Sequence, residues 1–174
     1  MTIREHIIDM KLNKLINYLL EEHERRHMSK SPLGDFKEVP VEEQNESEYK
    51  PNGFWYDCDN EWSNWVEFEM PEWKGDYFYS VKLDHSKMKV IRNLKELKAF
   101  TEEYGSDEEF GMINWRRVAE DYSGIEICPY VWEARLDRGK YSWYNTWDVA
   151  SGCIWKRDAI VAIEAEPKSE GGDV

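Results

Sequence analysis

A chain of 174 residues with 41% apolar and 34% charged side chains can bury about two-thirds of its unfolded surface in a single domain. A net charge of −13 excludes general binding to nucleic-acid phosphates, which needs clustered Lys and Arg, and an aromatic content of 14% excludes a disordered chain. Cys58, Cys128 and Cys153 are odd in number, far apart and outside any CxxC pair, which points to reduced thiols in a cytoplasm.

The N-terminal stretch MTIREHIIDMK carries charges at Arg4, Glu5, Asp9 and Lys11, unlike a secretory leader, and no stretch approaches the ~18 apolar residues of a membrane helix. Residues 3–28 read as one amphipathic helix, with Ile8, Leu12, Leu15 and Leu19 at helical spacing and Ile7, Ile16 and Leu20 widening the stripe. Within it, His23-Glu24-Arg25-Arg26-His27 matches H-E-x-x-H, which on a helix offers His23 and His27 to zinc, Glu24 as base and Glu46 as a third ligand. Two arginines beside a divalent cation are unfavourable, and the 22 residues before the motif are too few for a roofing sheet. The motif reads as a solvated helix end with no metal.

Ser29 to Gly34 ends the helix at Pro32, and Phe36 to Val41 alternates like a short edge strand carrying Pro40. A polar loop then closes on the turn Lys50-Pro51-Asn52-Gly53 and feeds a strand, Phe54-Trp55-Tyr56. Asp59 or Asn60 is placed to cap a short helix bearing Trp62, Trp65 and Val66, which Pro71 stops. Strands follow at Tyr77–Leu83 and Met88–Ile91, then a helix from Leu94 to Tyr104 capped by Asn93 and another from Ile113 to Tyr122. Ile125 to Val131 reads as a strand, Ala134 to Lys140 as a charged loop, and the end as two short strands near 152–155 and 160–164. The expected organisation is an N-terminal helix over residues 1–30 packed on one α+β domain of 31–166, with a mixed, mainly antiparallel pair of small sheets and a disordered tail of 167–174.

The chemistry-bearing stretch is Lys140 to Ile163, KYSWYNTWDVASGCIWKRDAIVAI. It gathers Tyr141, Trp143, Tyr144, Trp147 and Trp155 around one acid, Asp148, and the small residues Ala150-Ser151-Gly152-Cys153. Two readings stand side by side: a wall of a ligand site, or a Trp-rich strand pair with a tight turn. Nucleotide cradles of the GxxxxGK[ST] and GxGxxG types are absent, as is a readable Ser-His-Asp set. If Lys50 to Tyr56 and Trp143 to Trp155 line one groove, their rings and acid suit a planar, hydroxyl-rich ligand.

The order of parts over residues 35–165 resembles the compact ADP-ribosyltransferase fold. Gly53-Phe54-Trp55-Tyr56 followed by Ser63-Asn64-Trp65 looks like that family's G-x-[YW]-[FY] strand and aromatic-ended helix; Tyr79 to Asp84, then Met88 to Ile91, resemble its next strands. Asp121-Tyr122-Ser123-Gly124-Ile125 resembles its GYDGI turn, and WDVASGCIW is similar to a stretch of small phage and bacterial members. The resemblance implies NAD as substrate, a macromolecular target, most simply a protein, and a site in a host cytoplasm if the chain is phage-encoded. It implies Lys50, Asn52, Gly53, Trp55, Tyr56, Trp65, Tyr144 and Trp147 as NAD-binding, and Asp148 and Ser151 as the catalytic pair at the ribose hydroxyls. The family's first strand carries an Arg or His that holds NAD; Ser31 to Gln44 contains neither, with Lys37 and Gln44 as the nearest substitutes. The family's catalytic Glu has no counterpart between Ser151 and Trp155, which leaves Asp148 as the nearest acid. An acidic, non-enzymatic protein that occupies a basic host surface, or a carbohydrate binder with exposed Trp rings, are the competing classes.

Overall fold

The computed structural model describes residues 23–168. Seven strands form one mixed sheet: β1 (Arg25–Ser29), β2 (Phe54–Cys58), β3 (Tyr77–Leu83), β4 (Met88–Ile91), β5 (Gly124–Ile127), β6 (Ser151–Ile154) and β7 (Ile160–Ala165). Their order across the sheet is β4-β5-β6-β2-β1-β3-β7, and among the strand pairs only β4 and β5 run parallel. A parallel pair needs a crossover, and the two helices α2 (Leu94–Tyr104) and α3 (Trp115–Asp121) supply it; α1 (Glu61–Glu69) follows β2. The described residues are thus a mixed α/β arrangement with three α-helices on one continuous sheet rather than a pair of small ones.

The crossover helices insert Leu97, Phe100 and Tyr104 from α2 and Trp115 and Val118 from α3 into the core, the spacing their sequence predicts. Trp143 meets Phe100 at 5.5 Å between ring centroids and Trp115 at 6.0 Å, edge-on. Such pairs add about 0.5–1.5 kcal/mol each beyond buried area. Asn93 caps α2 by accepting the Glu96 amide, as expected.

Several boundaries differ from the expected ones. Residues 3–22 of the first helix lie outside the described part, and its last residues are not helical: Arg25–Ser29 is a strand between β2 and β3. Pairing on both sides, with Arg25 turned to a buried acid, overrides the local helical pattern. His23 and His27 therefore do not share a helix face. Phe36 to Val41 forms no strand; its backbone reaches the sheet through Val39 N–H to Trp155 O, while Phe36, Val39 and Val41 pack on the core. The helix expected from Ile113 begins at Trp115, capped by Asn114, and the strand expected to reach Val131 ends at Ile127, ahead of Pro129.

Candidate functional site

Successive side chains of a strand point to opposite faces, and β2 uses both. Tyr56 and Cys58 share the face of Arg25 and Glu126, while Trp55 and Asp57 share that of Arg26, Ser151 and Cys153, as the pairing register sets. On the first face Glu126, fully buried, takes two bonds from Arg25 at 2.7 and 2.9 Å, one from the Tyr56 hydroxyl at 2.6 Å, and a contact with His85 at 3.2 Å. The Tyr56 ring reaches Glu126 over Gly152, where any Cβ would overlap the phenol. Burial alone would raise the Glu126 carboxyl, but its bonds from Arg25 and His85 outweigh this and hold it at about 2.

On the second face lies a cavity of about 290 Å³, near the lower end of small-molecule sites. Trp55, Trp62 and Trp147 wall it, and Arg26, Lys50, Asp57, Asp148 and Ser151 supply its polar rim and floor. Trp55 and Trp147 meet edge to face at 5.0 Å, and the Lys50 ammonium lies 5.7 Å from the Trp55 ring. Burial lowers the Lys50 pKa, with Asp148 opposing that shift.

Asp57 is 4% exposed, and its two oxygens have different fates. Oδ2 accepts the Trp62 amide at 2.8 Å and the Ser63 amide at 3.4 Å, so Asn60 holds the N-cap position of α1 without a side-chain bond and Asp57 supplies the capping oxygen. Oδ1 is buried with no partner among the described residues. Burial pushes the Asp57 carboxyl up to about 6 against the pull of those amides.

The structure brings Lys50, Trp55, Trp147, Asp148 and Ser151 together around this cavity; Tyr56 borders it from β2, but its phenol lies on the opposite face with Glu126. Trp55 and Asp148 thus face one space, although they are 93 positions apart in the chain. The other expected ligand residues stand elsewhere. Asn52 is tied by Gln44 and the Glu43 carbonyl into its own loop, and Gly53 faces a second, wider groove beside Phe36 and β7. Trp65 stacks on Trp62 at 5.0 Å outside the cavity wall, and Tyr144 is wholly buried, its hydroxyl accepting the Val131 amide. The Asp148 carboxylate has no hydrogen-bond partner among the described residues; the Ala150 amide, which an Asx-turn would offer it, goes to Glu61 at 2.8 Å. Ser151 Oγ donates to Val149 O at 3.0 Å.

Sequence reasoning missed Arg26, His27, Asp57 and Trp62. Arg26 is held by Glu166 and Asn60, and His27 by the Trp55 carbonyl at 2.6 Å, with its ring stacked on Phe54. The signal available for Asp57 was an acid inside an otherwise apolar strand, FWYDC. Elsewhere His23, Asp59 and Cys128 bring donor atoms within 4.8 Å of one another, but His23 and Asp59 satisfy each other at 2.7 Å and Asp59 also takes the Glu24 amide. That group locks the turn at Asp59 and Asn60, both at positive φ. Comparison with known proteins adds no relative: no family model, curated protein or solved structure matches the chain. Among the described residues no helix is long and apolar enough to cross a membrane.

Proposed function

We propose that the chain is an ADP-ribosyltransferase-like domain that takes NAD as donor and a macromolecule as acceptor, with the nicotinamide–ribose end in the cavity beside β2. The observation that carries this reading is the meeting of Trp55, Trp147, Lys50, Asp148 and Ser151 around one cavity. Strand β1 adds support: it carries an Arg and a His, Arg26 on the face of the cavity and His27 with its ring turned to Phe54 and the Trp55 carbonyl.

The aromatic walls suit a planar, cationic ring, whose charge the indole faces and the nearby carboxylates stabilise. In the reaction the ribose C1′–N bond breaks, its electron pair leaves with neutral nicotinamide, and an acceptor heteroatom bonds C1′ and gives up its proton. Asp148, which makes no hydrogen bond among the described residues, is the carboxylate that would stabilise the oxocarbenium-like cation. Loss of one aligned group of this kind costs about 2.7–4 kcal/mol, roughly a hundred- to a thousandfold in rate. The cavity volume of about 290 Å³ suits one half of a dinucleotide, so the adenosine half lies outside it.

Thermal melting with and without NAD tests the reading. At a hundred times its dissociation constant NAD adds about 2.7 kcal/mol of stability, and a melting point unmoved by NAD sinks the proposal. The net charge of −13 favours one other reading, an acidic protein that covers a basic partner; it predicts no response to NAD and salt-sensitive capture of that partner.

A further inference from the structure

We propose that Asp57 Oδ1 is the cavity's anchor for a hydrogen-bond donor of the ligand, an O–H or N–H group, and that ligand binding is therefore linked to proton release from this carboxyl. The inference deepens the NAD reading and rests on it for the choice of probes. Its own ground is separate: a carboxylate oxygen that is buried and, among the described residues, unpartnered, on a side chain that lines the cavity. Buried polar atoms are nearly always satisfied, and an orphan in a cavity wall is satisfied by what enters the cavity.

The second oxygen fixes the carboxylate. Because Oδ2 holds the first amides of α1, the group cannot swing away to find water without uncapping the helix. The neighbours leave Oδ1 to the ligand. Arg26 lies directly across from Asp57 in the β1–β2 register, but its guanidinium is spent on Glu166 and Asn60. Glu61 on α1 adds a like charge and is itself bonded to the Ala150 amide. Lys50, Asp148, His27 and Tyr56, the last with its hydroxyl given to Glu126, complete the titratable groups around the cavity.

A ligand donor prefers the ionised carboxylate, whereas a ligand carbonyl at the same place prefers the protonated acid. The free protein holds this carboxyl up at about 6, so a donor-bearing ligand gains affinity as pH rises from 5 to 7 and then levels off. The slope is at most tenfold per pH unit for one proton. His27, whose pKa burial lowers, is the second group to be removed for comparison.

The experiment is isothermal titration of the full chain between pH 5 and 8 with four probes: NAD, nicotinamide, ADP-ribose and free ribose. Wild type, Asp57→Asn and His27→Gln are compared. The expected result is affinity rising with pH in wild type and His27→Gln, and an Asp57→Asn protein that binds about tenfold or more weakly at pH 7.5 with no slope. Nicotinamide alone showing the linkage places the donor on its amide; ADP-ribose alone showing it places the donor on the ribose. NAD bound by all three proteins with equal affinity and no slope overturns the role of Asp57 and leaves the NAD reading standing. Free ribose showing the linkage while NAD does not bind removes the NAD reading and keeps Asp57. Affinity that falls with rising pH, or no binding of any probe, overturns the inference.

Discussion

Two buried carboxylates sit on opposite faces of the same sheet, and they have been given opposite electrostatic fates. Glu126 is 0% exposed and Asp57 4%, so burial is the same for both. Glu126 receives a guanidinium, a phenol and an imidazole and is held at about 2; Asp57 receives two amides on one oxygen, none on the other, and is pushed up to about 6. Partners, not depth, decide the sign. The satisfied face closes the fold, and the unsatisfied face is the one that contains the cavity.

The largest expected effects come from breaking the closed face. Arg25→Met leaves Glu126 buried without its cation and should cost about 3–5 kcal/mol in a denaturant titration. The pH dependence has a defined direction. A carboxyl depressed to about 2 contributes stability that is present above the ordinary carboxylate range and lost as pH falls through about 2; in Arg25→Met that loss should begin at higher pH. Gly152→Ala forces the Tyr56 phenol off its path to Glu126 and should cost about 1–3 kcal/mol through overpacking. An unfolding midpoint that stays put in both variants would remove the network from the stability of the fold.

The open face should answer in the other direction. A carboxyl raised to about 6 contributes its stability below the unfolded pKa and loses it as pH rises through about 6. Asp57→Asn keeps an oxygen for the Trp62 and Ser63 amides and removes the charge, so the ligand-free variant should gain up to ~2 kcal/mol at pH 8 and little at pH 4.5. Equal melting points at both pH values would show that Asp57 is paired in solution.

The two faces also differ in how legible they were in the sequence. Strands β2, β3 and β4 and helix α2 announce themselves through alternation, turn residues and the Asn93 cap, because their signals lie within ten residues. β1 does not. Its identity depends on β2 and β3, tens of residues downstream, and its residues Arg25-Arg26-His27 look like a polar helix end until Glu126, 101 positions away, is brought beside Arg25. The same limit applies to the site. Trp55, Trp147 and Asp148 stood out by composition, and the structure puts them together. Trp65 and Tyr144 were as aromatic but face a surface cluster and the core, a choice made by helix rotation and a buried bond to Val131. Asp57 gave one signal, an acid inside the apolar strand FWYDC, but among 36 acids that signal gains weight only once its burial is known.

The smallest expected change in stability belongs to Asp148, and it is the sharpest test of the open face. Asp148 is half-buried beside Trp147, lines the same cavity as Asp57, and makes no hydrogen bond among the described residues. Its charge does little for the fold: the turn amide it would have capped is taken by Glu61, and the Lys50 ammonium whose burial it offsets is also held over the Trp55 ring. Asp148→Asn keeps the shape and should move the unfolding free energy by no more than about 0.5 kcal/mol. If Asp148 faces the developing ribosyl cation, the same change should slow nicotinamide release from NAD by about a hundred- to a thousandfold while NAD binding shifts little, since the group acts on charge that appears only in the transition state. Loss of binding and rate in equal measure would make Asp148 a ground-state contact. A variant that releases nicotinamide at the wild-type rate would leave Asp57 as the acid of this cavity that remains to be tested.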